Sequence, residues 1–367
     1  METKRSNRSG SNGALIASLV AILMGLIAGS ILMLVSGMDP IKGYGFLFKG
    51  GLMSVSRIAN TIAYSAPLIL TGLSLVLSFR TGLFNIGASG QMLMGGLAAL
   101  AVGNWLAPTG MSKAILLPIV LMSSMLGGAT WGFISGILKA KFNVNEVVSC
   151  IMLNWCAYWI VYNTVFDHFK SATIDSQSVS FPAAANLKVE ALTKATGGSQ
   201  LNLGILIAIL AAVAILFILE KTILGYEMKA VGFNKYAAEC NGINVEGNVI
   251  KSMTISGLLA GLAGAACYAG YNTNMQIGVL PSQGFDGIAV AILAGNSPIG
   301  TIFAALFLSV LHTGKGFMNS MAGIPPEIAD AIIAIIIYFS ATSKLIQTNF
   351  ERIRKWWQRR RTRKVGK

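Results

Sequence analysis

Few side chains in this chain could do chemistry, and those few form no catalytic pattern. There is no G-x-x-x-x-G-K-[ST] phosphate loop, because Gly314-Lys315 is followed by Gly316. G-x-S-x-G and H-E-x-x-H are also missing. The two histidines, His168 in an expected loop and His312, have no carboxylate or cysteine partner in sequence and read as interfacial or packing residues. Cys150, Cys156, Cys240 and Cys267 form no C-x-x-C pair. They read as small packing residues, and no disulfide framework, metal or cofactor is expected. What remains is a set of polar groups within apolar sequence: Asn85, Gln91, Asn154, Asp286 and Asn296. Amide and carboxylate groups placed this way could line a path for a neutral polar solute. Asn85 and Asp286 read equally well as helix caps. Glu146, beside Asn145, reads as a cap or gate residue. Glu146, Asp286, Glu327 and Asp330 fall at or near the ends of apolar runs, which is not the chain of buried acids of an ion-coupled carrier. Uphill transport would draw its energy from another source.

One polar insert, Lys221 to Lys251, interrupts the apolar sequence. Within it Asn234 precedes Tyr236-Ala237-Ala238-Glu239-Cys240, and Asn241-Gly242 follows. Asn is a good N-cap and Asn-Gly a good stop, so a helix of one or two turns is predicted here. It is either a docking element for another protein or a plain solvated loop.

The elements that must position these residues are membrane helices. The 367 residues are 54% hydrophobic and 11% charged, against about 25% charged in soluble domains. Apolar windows place spans near 14–35, 58–79, 83–103, 114–138, 147–166, 201–219, 251–271, 284–296, 299–318 and 326–346. The fold expected is an all-α polytopic membrane protein of about ten helices. The window 284–296 is short for a crossing and fits a half-helix. The first run, Ala14 to Val35, is too long for a signal-peptide core and reads as a retained span.

The net charge of +14 is concentrated at the C-terminus, where Arg352 to Lys367 holds nine basic residues beside Trp356 and Trp357. That suits a juxtamembrane segment facing anionic lipid, not a nucleic-acid site. With Lys4, Arg5 and Arg8 inside, ten spans return this tail to the cytoplasm. The insert then lies in the cytoplasm, and the loops 167–200 and 272–283 lie outside. Lys42, Lys49 and Arg57 in the first outer loop run against the rule. The expected organisation is a cytoplasmic segment 1–13, a transmembrane domain 14–346 and a basic cytoplasmic tail 347–367. The transmembrane domain would carry an extracellular loop at 167–200 and a cytoplasmic loop at 220–250.

Gly82-Leu83-Phe84-Asn85 and Gly284-Phe285-Asp286 echo each other at two span starts. Spans 2–5 and 7–10 would then be inverted repeats around a central path, unless two helix caps arose independently. Gly128, Gly132 and Gly136, then Gly257, Gly261 and Ala265, form small-residue ladders that let helix backbones approach closely. Gly87, Gln91, Gly95 and Ala99 line one face of the third span.

Four stretches resemble the permeases of ATP-binding-cassette importers, in the branch serving branched-chain amino acids, simple sugars and nucleosides. Gly225 with Lys229-Ala230-Val231-Gly232-x-Asn234 and Ala237-Ala238-x-x-x-Gly242-Ile243-Asn244 is similar to that branch's coupling loop. Leu83-Phe84-Asn85-Ile86-Gly87-Ala88-x-Gly90-Gln91 and Asn145-Glu146-Val147-Val148-x-x-Ile151-Met152-Leu153-Asn154 resemble the starts of spans 3 and 5. Gly284-Phe285-Asp286-Gly287-Ile288-Ala289-Val290-Ala291-Ile292-Leu293 resembles span 8 of the nucleoside subgroup. Lys229 stands where Arg is common, and Phe233 and Lys235 depart from the usual residues around Asn234.

The resemblance implies a bacterial plasma-membrane permease for nucleosides, without enzymatic activity of its own. It implies a partner ATPase with two cassettes, a second related permease and an extracellular substrate-binding lipoprotein. It assigns coupling to Gly225, Lys229, Gly232, Asn234, Ala237, Ala238 and Gly242. A simple-sugar permease is the alternative within the branch. An ATP-independent carrier or channel, or a membrane scaffold, is the alternative outside it.

Overall fold

The computed structural model describes residues 20–342. The segment 1–13, the start of span 1, the end of span 10 and the basic tail 347–367 lie outside the described residues. The described residues are helical throughout, with irregular connections and three isolated β-bridges.

Each expected span finds a helix. They are α1 (Val20–Val35), α3 (Val55–Arg80), α4 (Ala88–Leu106), α5 (Lys113–Phe142), α6 (Glu146–His168), α8 (Gly204–Lys221), α11 (Val245–Ala265), α12 (Ser282–Leu293), α13 (Pro298–Ala322) and α14 (326–342). Six of the described helices are long and apolar enough to cross a membrane: α3, α4, α5, α8, α11 with its π-helical extension Ala266–Tyr271, and α13. The remaining helices are α2 (Pro40–Leu52), α7 (Glu190–Ala195), α9 (Ile223–Phe233) and α10 (Lys235–Cys240).

Two expectations need correction. The first outer loop, with Lys42 and Lys49, is mostly the helix α2. Asp39 accepts from the N–H groups of Ile41 (2.9 Å) and Lys42 (3.3 Å), and Pro40 opens the helix, where its missing N–H costs nothing. His168 is not in a loop but closes α6. The loop 167–200 is held by backbone bonds from Ser178 to Met275 (2.9 Å), Phe181 to Thr273 (2.9 Å) and Leu187 to Ala269 (2.8 Å). It therefore pairs with 272–283, which gives backbone groups of both connections their partners.

The described residues divide into two compact units, 20–47 with 315–342, and Phe48–Gly314. In the first, a methyl at Gly25 would meet Ile336, the Tyr44 hydroxyl donates to the Leu26 carbonyl (2.7 Å), and Lys315 pairs with Asp330 (2.9 Å).

The second unit is built on a glycine seam. The ladders of α5 and α11 face each other. A methyl at Gly261 would overlap the Ser124 carbonyl and lie 3.0 Å from the Gly128 Cα, and one at Gly132 would lie 3.0 Å from the Gly257 Cα. The Ser124 hydroxyl donates to the Gly261 carbonyl across the seam (2.5 Å). From the other side, a methyl at Gly95 of α4 would meet the Gly261 backbone. Lipid tails offer no hydrophobic drive for helix association, so close backbone packing has to supply it.

Replacing Gly261 with Val is expected to destabilise the protein by about 1–3 kcal/mol or more, through overpacking. Gly316→Ala, where no atom lies within 4 Å, is expected to be silent. Thermal aggregation of the two variants in detergent checks this.

Candidate functional site: a polar turn, a short helix and an ordered insert

The connection between α3 and α4 is irregular, with Thr81, Leu83, Asn85 and Gly87 buried and Gly82 and Phe84 exposed. α3 closes through Gly82 (φ 76°), with N–H bonds from Gly82 to Phe79 and from Leu83 to Ser78. Asn85 follows, 0% exposed. It forms a reciprocal amide pair with Gln91 (3.0 and 3.2 Å), donates to the Ser256 hydroxyl (2.8 Å) and accepts from the Gly87 N–H (3.0 Å).

Asn85 therefore does not cap α4, as the sequence allowed. The cap comes from another helix: Asn154 of α6 accepts from the Gly90 N–H (2.9 Å) and donates to the Ile86 carbonyl (3.1 Å). Ser256 in turn donates to the Ser74 carbonyl (2.7 Å), and Ser252 to the Thr81 hydroxyl (2.8 Å). Asn85, Gln91 and Asn154 thus form one buried knot that ties α3, α4, α6 and α11 together.

Asp286 lies elsewhere, one turn into α12, so it is not a cap. α12 starts against the start of α4, where Ser89 donates to the Pro281 carbonyl (3.0 Å). It then runs beside the second half of α3. Thr71 donates to the Gln283 carbonyl (3.0 Å), and methyls at Gly287 and Gly72 would meet Thr71 and Val290. Its 12 residues span about 18 Å, short of the roughly 30 Å hydrocarbon layer.

The Asp286 carboxylate is 3.5 Å from His312 Nε2 of α13, a partner not visible in sequence. Asn296 (φ 57°) shapes the α12–α13 turn, and its carbonyl accepts from Arg80 Nε (3.1 Å). The five polar residues proposed for a path therefore separate into the knot, the Asp286–His312 pair and the Asn296 turn.

The insert is more ordered than a loop. α9 begins at Thr222, whose hydroxyl accepts from the Gly225 N–H (3.1 Å). Asn234 caps α10 by accepting from Tyr236 (3.0 Å) and Ala237 (3.1 Å). α10 ends with Gly242 (φ 78°), the N–H of Gly242 on Glu239 and that of Ile243 on Ala238. Asn244 caps α11 through the Gly247 N–H (2.8 Å).

Most of the residues assigned to coupling shape this element. A methyl at Gly225 would overlap the Ile218 carbonyl at the end of α8. A methyl at Gly232 would overlap the Arg80 carbonyl and lie 2.8 Å from the Gly82 nitrogen. α9 thus sits directly on the turn that leads to Asn85. Ala238 is buried, and Lys229 reaches Glu220 (3.5 Å). The Glu227 carboxylate accepts from buried Asn248 of α11 (3.0 Å).

The exposed aromatic side chains of the insert are residues the sequence reading did not assign to coupling. Tyr226 and Tyr236 are exposed and Phe233 is 93% exposed; Tyr226 and Phe233 line a groove between α9 and α10 together with Lys229, Ala237 and Ile243. An aromatic residue inside a polar insert was the available signal. Cys150 and Cys267 are buried packing residues, whereas Cys156 and Cys240 are exposed.

Residues 57–341 match the model of the branched-chain amino acid transport system / permease component family. The chain belongs to this family. It is 41% identical to the guanosine ABC transporter permease protein NupP of Bacillus subtilis (strain 168), over 93% of this chain and 97% of that one. It is 40% identical to the nucleoside ABC transporter permease protein NupB of Lactococcus lactis subsp. cremoris (strain MG1363), over 90% and 92%. Identity to the glucose ABC transporter permease protein TsgB13 of Haloferax volcanii is 31%, over 90% and 87%. No solved structure matches the chain. As a family member it is a transport permease embedded in the membrane, not an enzyme.

Asn154→Leu is expected to leave the Gly90 N–H and Ile86 carbonyl without partners, at a cost of about 1–3 kcal/mol each. Asn154→Asp keeps the acceptor and should fall between Leu and the native residue in thermal stability.

Proposed function

We propose that the chain is one permease of an ATP-driven importer that carries nucleosides across a bacterial plasma membrane. The substrate reading rests on 41% identity to a guanosine permease against 31% to a glucose permease. The Gly284-Phe285-Asp286 stretch adds to it.

In this reading the insert lies in the cytoplasm and is the docking element for a two-cassette ATPase. A second related permease completes the path, and an extracellular lipoprotein delivers the solute. The observation that carries it is mechanical. The insert offers exposed Tyr226 and Phe233 at one groove. Its Gly232 rests on Arg80 and Gly82. Arg80 also holds the Asn296 carbonyl at the end of α12. ATP-driven movement of α9 and α10 would therefore reach the Asn85 knot through the backbone and the half-helix α12 through the Arg80 side chain. Gly225, Lys229, Gly232, Asn234, Ala237, Ala238 and Gly242 set the shape and seating of the insert. Asn85, Gln91 and Asn154 hold the moving turn, and Asp286 and Asn296 belong to the element that moves.

Two variants separate docking from transmission. Phe233→Asp is expected to abolish co-purification of the ATPase with the permeases. Arg80→Gln is expected to leave the ATPase bound and hydrolysing while labelled adenosine uptake falls at least tenfold. Normal uptake by both would sink the coupling role. Uptake that persists without any ATPase would favour a carrier or channel, and ribose competing better than uridine would favour a sugar permease.

A further inference from the structure

The short helix α12 carries an ionisable residue, Asp286, in among the apolar helices α3 and α13, where charge is costly and normally functional. Asp286 does not stand alone there. His312 Nε2 is 3.5 Å from its carboxylate, and the two side chains are 18% and 8% exposed. The His312 ring lies tilted against Tyr64 of α3, centroids 5.5 Å apart. Tyr64 meets Tyr271 edge to face at 5.3 Å. Tyr271 ends the π-helical turn Ala266–Tyr271, a distortion that recurs at functional sites. Thr313, next to His312, meets the Thr61 hydroxyl (2.9 Å) and fixes α13 on α3. Four helical elements thus converge one carboxylate, one imidazole and two phenol rings. Tyr64, Tyr271 and Asp286 remain partly accessible.

We propose that Asp286, His312, Tyr64 and Tyr271 form a contact site for a ribonucleoside inside the permease, with Asp286 accepting from the sugar hydroxyls. The proposal rests on the nucleoside reading above and adds which part of the solute is sensed. A carboxylate has lone pairs for two adjacent hydroxyls, the way an acidic side chain holds a ribose 2′-hydroxyl in dinucleotide sites. Aromatic faces accept any base by stacking. His312 holds the carboxylate in place and is a positioning residue. A site built to bond a hydroxyl disfavours the analogue that lacks it, because its own polar group is then left unpaired.

The test uses the complete complex in proteoliposomes, with the binding protein and ATP, and labelled guanosine against 2′-deoxyguanosine. The wild type is expected to move guanosine at least tenfold faster. Asp286→Asn is expected to bring that ratio to within about threefold of unity, with unchanged amounts of assembled complex. Asp286→Glu should retain part of the preference. Tyr64→Phe should keep uptake and Tyr64→Leu lose at least tenfold for both solutes. A slower Asp286→Asn transporter with the wild-type ratio would overturn the proposal, leaving the pair as a structural latch. Equal wild-type rates for the two nucleosides would overturn it as well and leave the nucleoside reading standing. A wild-type complex that moves neither nucleoside would overturn both.

Discussion

A backbone that leaves the helical path inside a membrane exposes N–H and C=O groups that lipid cannot satisfy. The turn between Ser78 and Gln91 meets that constraint with side chains from other helices. Asn154 of α6 takes the Gly90 N–H, and Ser252 and Ser256 of α11 bond Thr81, Ser74 and Asn85. The rest of the second unit follows from this. α11 must lie close enough to α3 for hydroxyl groups to meet, and the glycine seam against α5 and α4 is what lets it lie there. The same buried turn is also the surface on which Gly232 of the insert rests.

This explains why a polar knot sits where an apolar core would be simpler. A knot of paired amides and hydroxyls is rigid when complete and expensive when broken. Arg80 also bonds the Asn296 carbonyl, so the turn that leads to α4 and the end of α12 both meet the last turn of α3.

The residues the family resemblance assigns to coupling divide by what they touch. Glycines at 225 and 232 permit close seating, and Asn234 and Gly242 end and begin chain turns. None of these four presents an anchor to a partner. Large aromatic side chains do, because they bury much area at low entropic cost. Phe233 and Tyr236 are therefore where the choice of ATPase is expected to reside. The departure of Phe233 and Lys235 from the usual pattern falls on that face.

Local physics was readable from the sequence alone. Apolar runs longer than a bilayer give spans, Asn234 and Asn241-Gly242 bound a short helix, and glycines four apart mark close helix contact. Each signal needs only neighbours in the chain. The absence of a phosphate loop and the pattern at 225–244 pointed to the permease family by the same local means. What the sequence could not contain is pairing at a distance. Asn154 meets Gly90 across 64 residues and Arg80 meets Asn296 across 216. His312 looked partnerless because its carboxylate is on the preceding helix, which only packing brings within 3.5 Å. Composition and periodicity decide which segments enter the membrane. Which polar groups then meet there is decided by how those helices cross, since each buried group must take whatever partner the tertiary structure puts within reach.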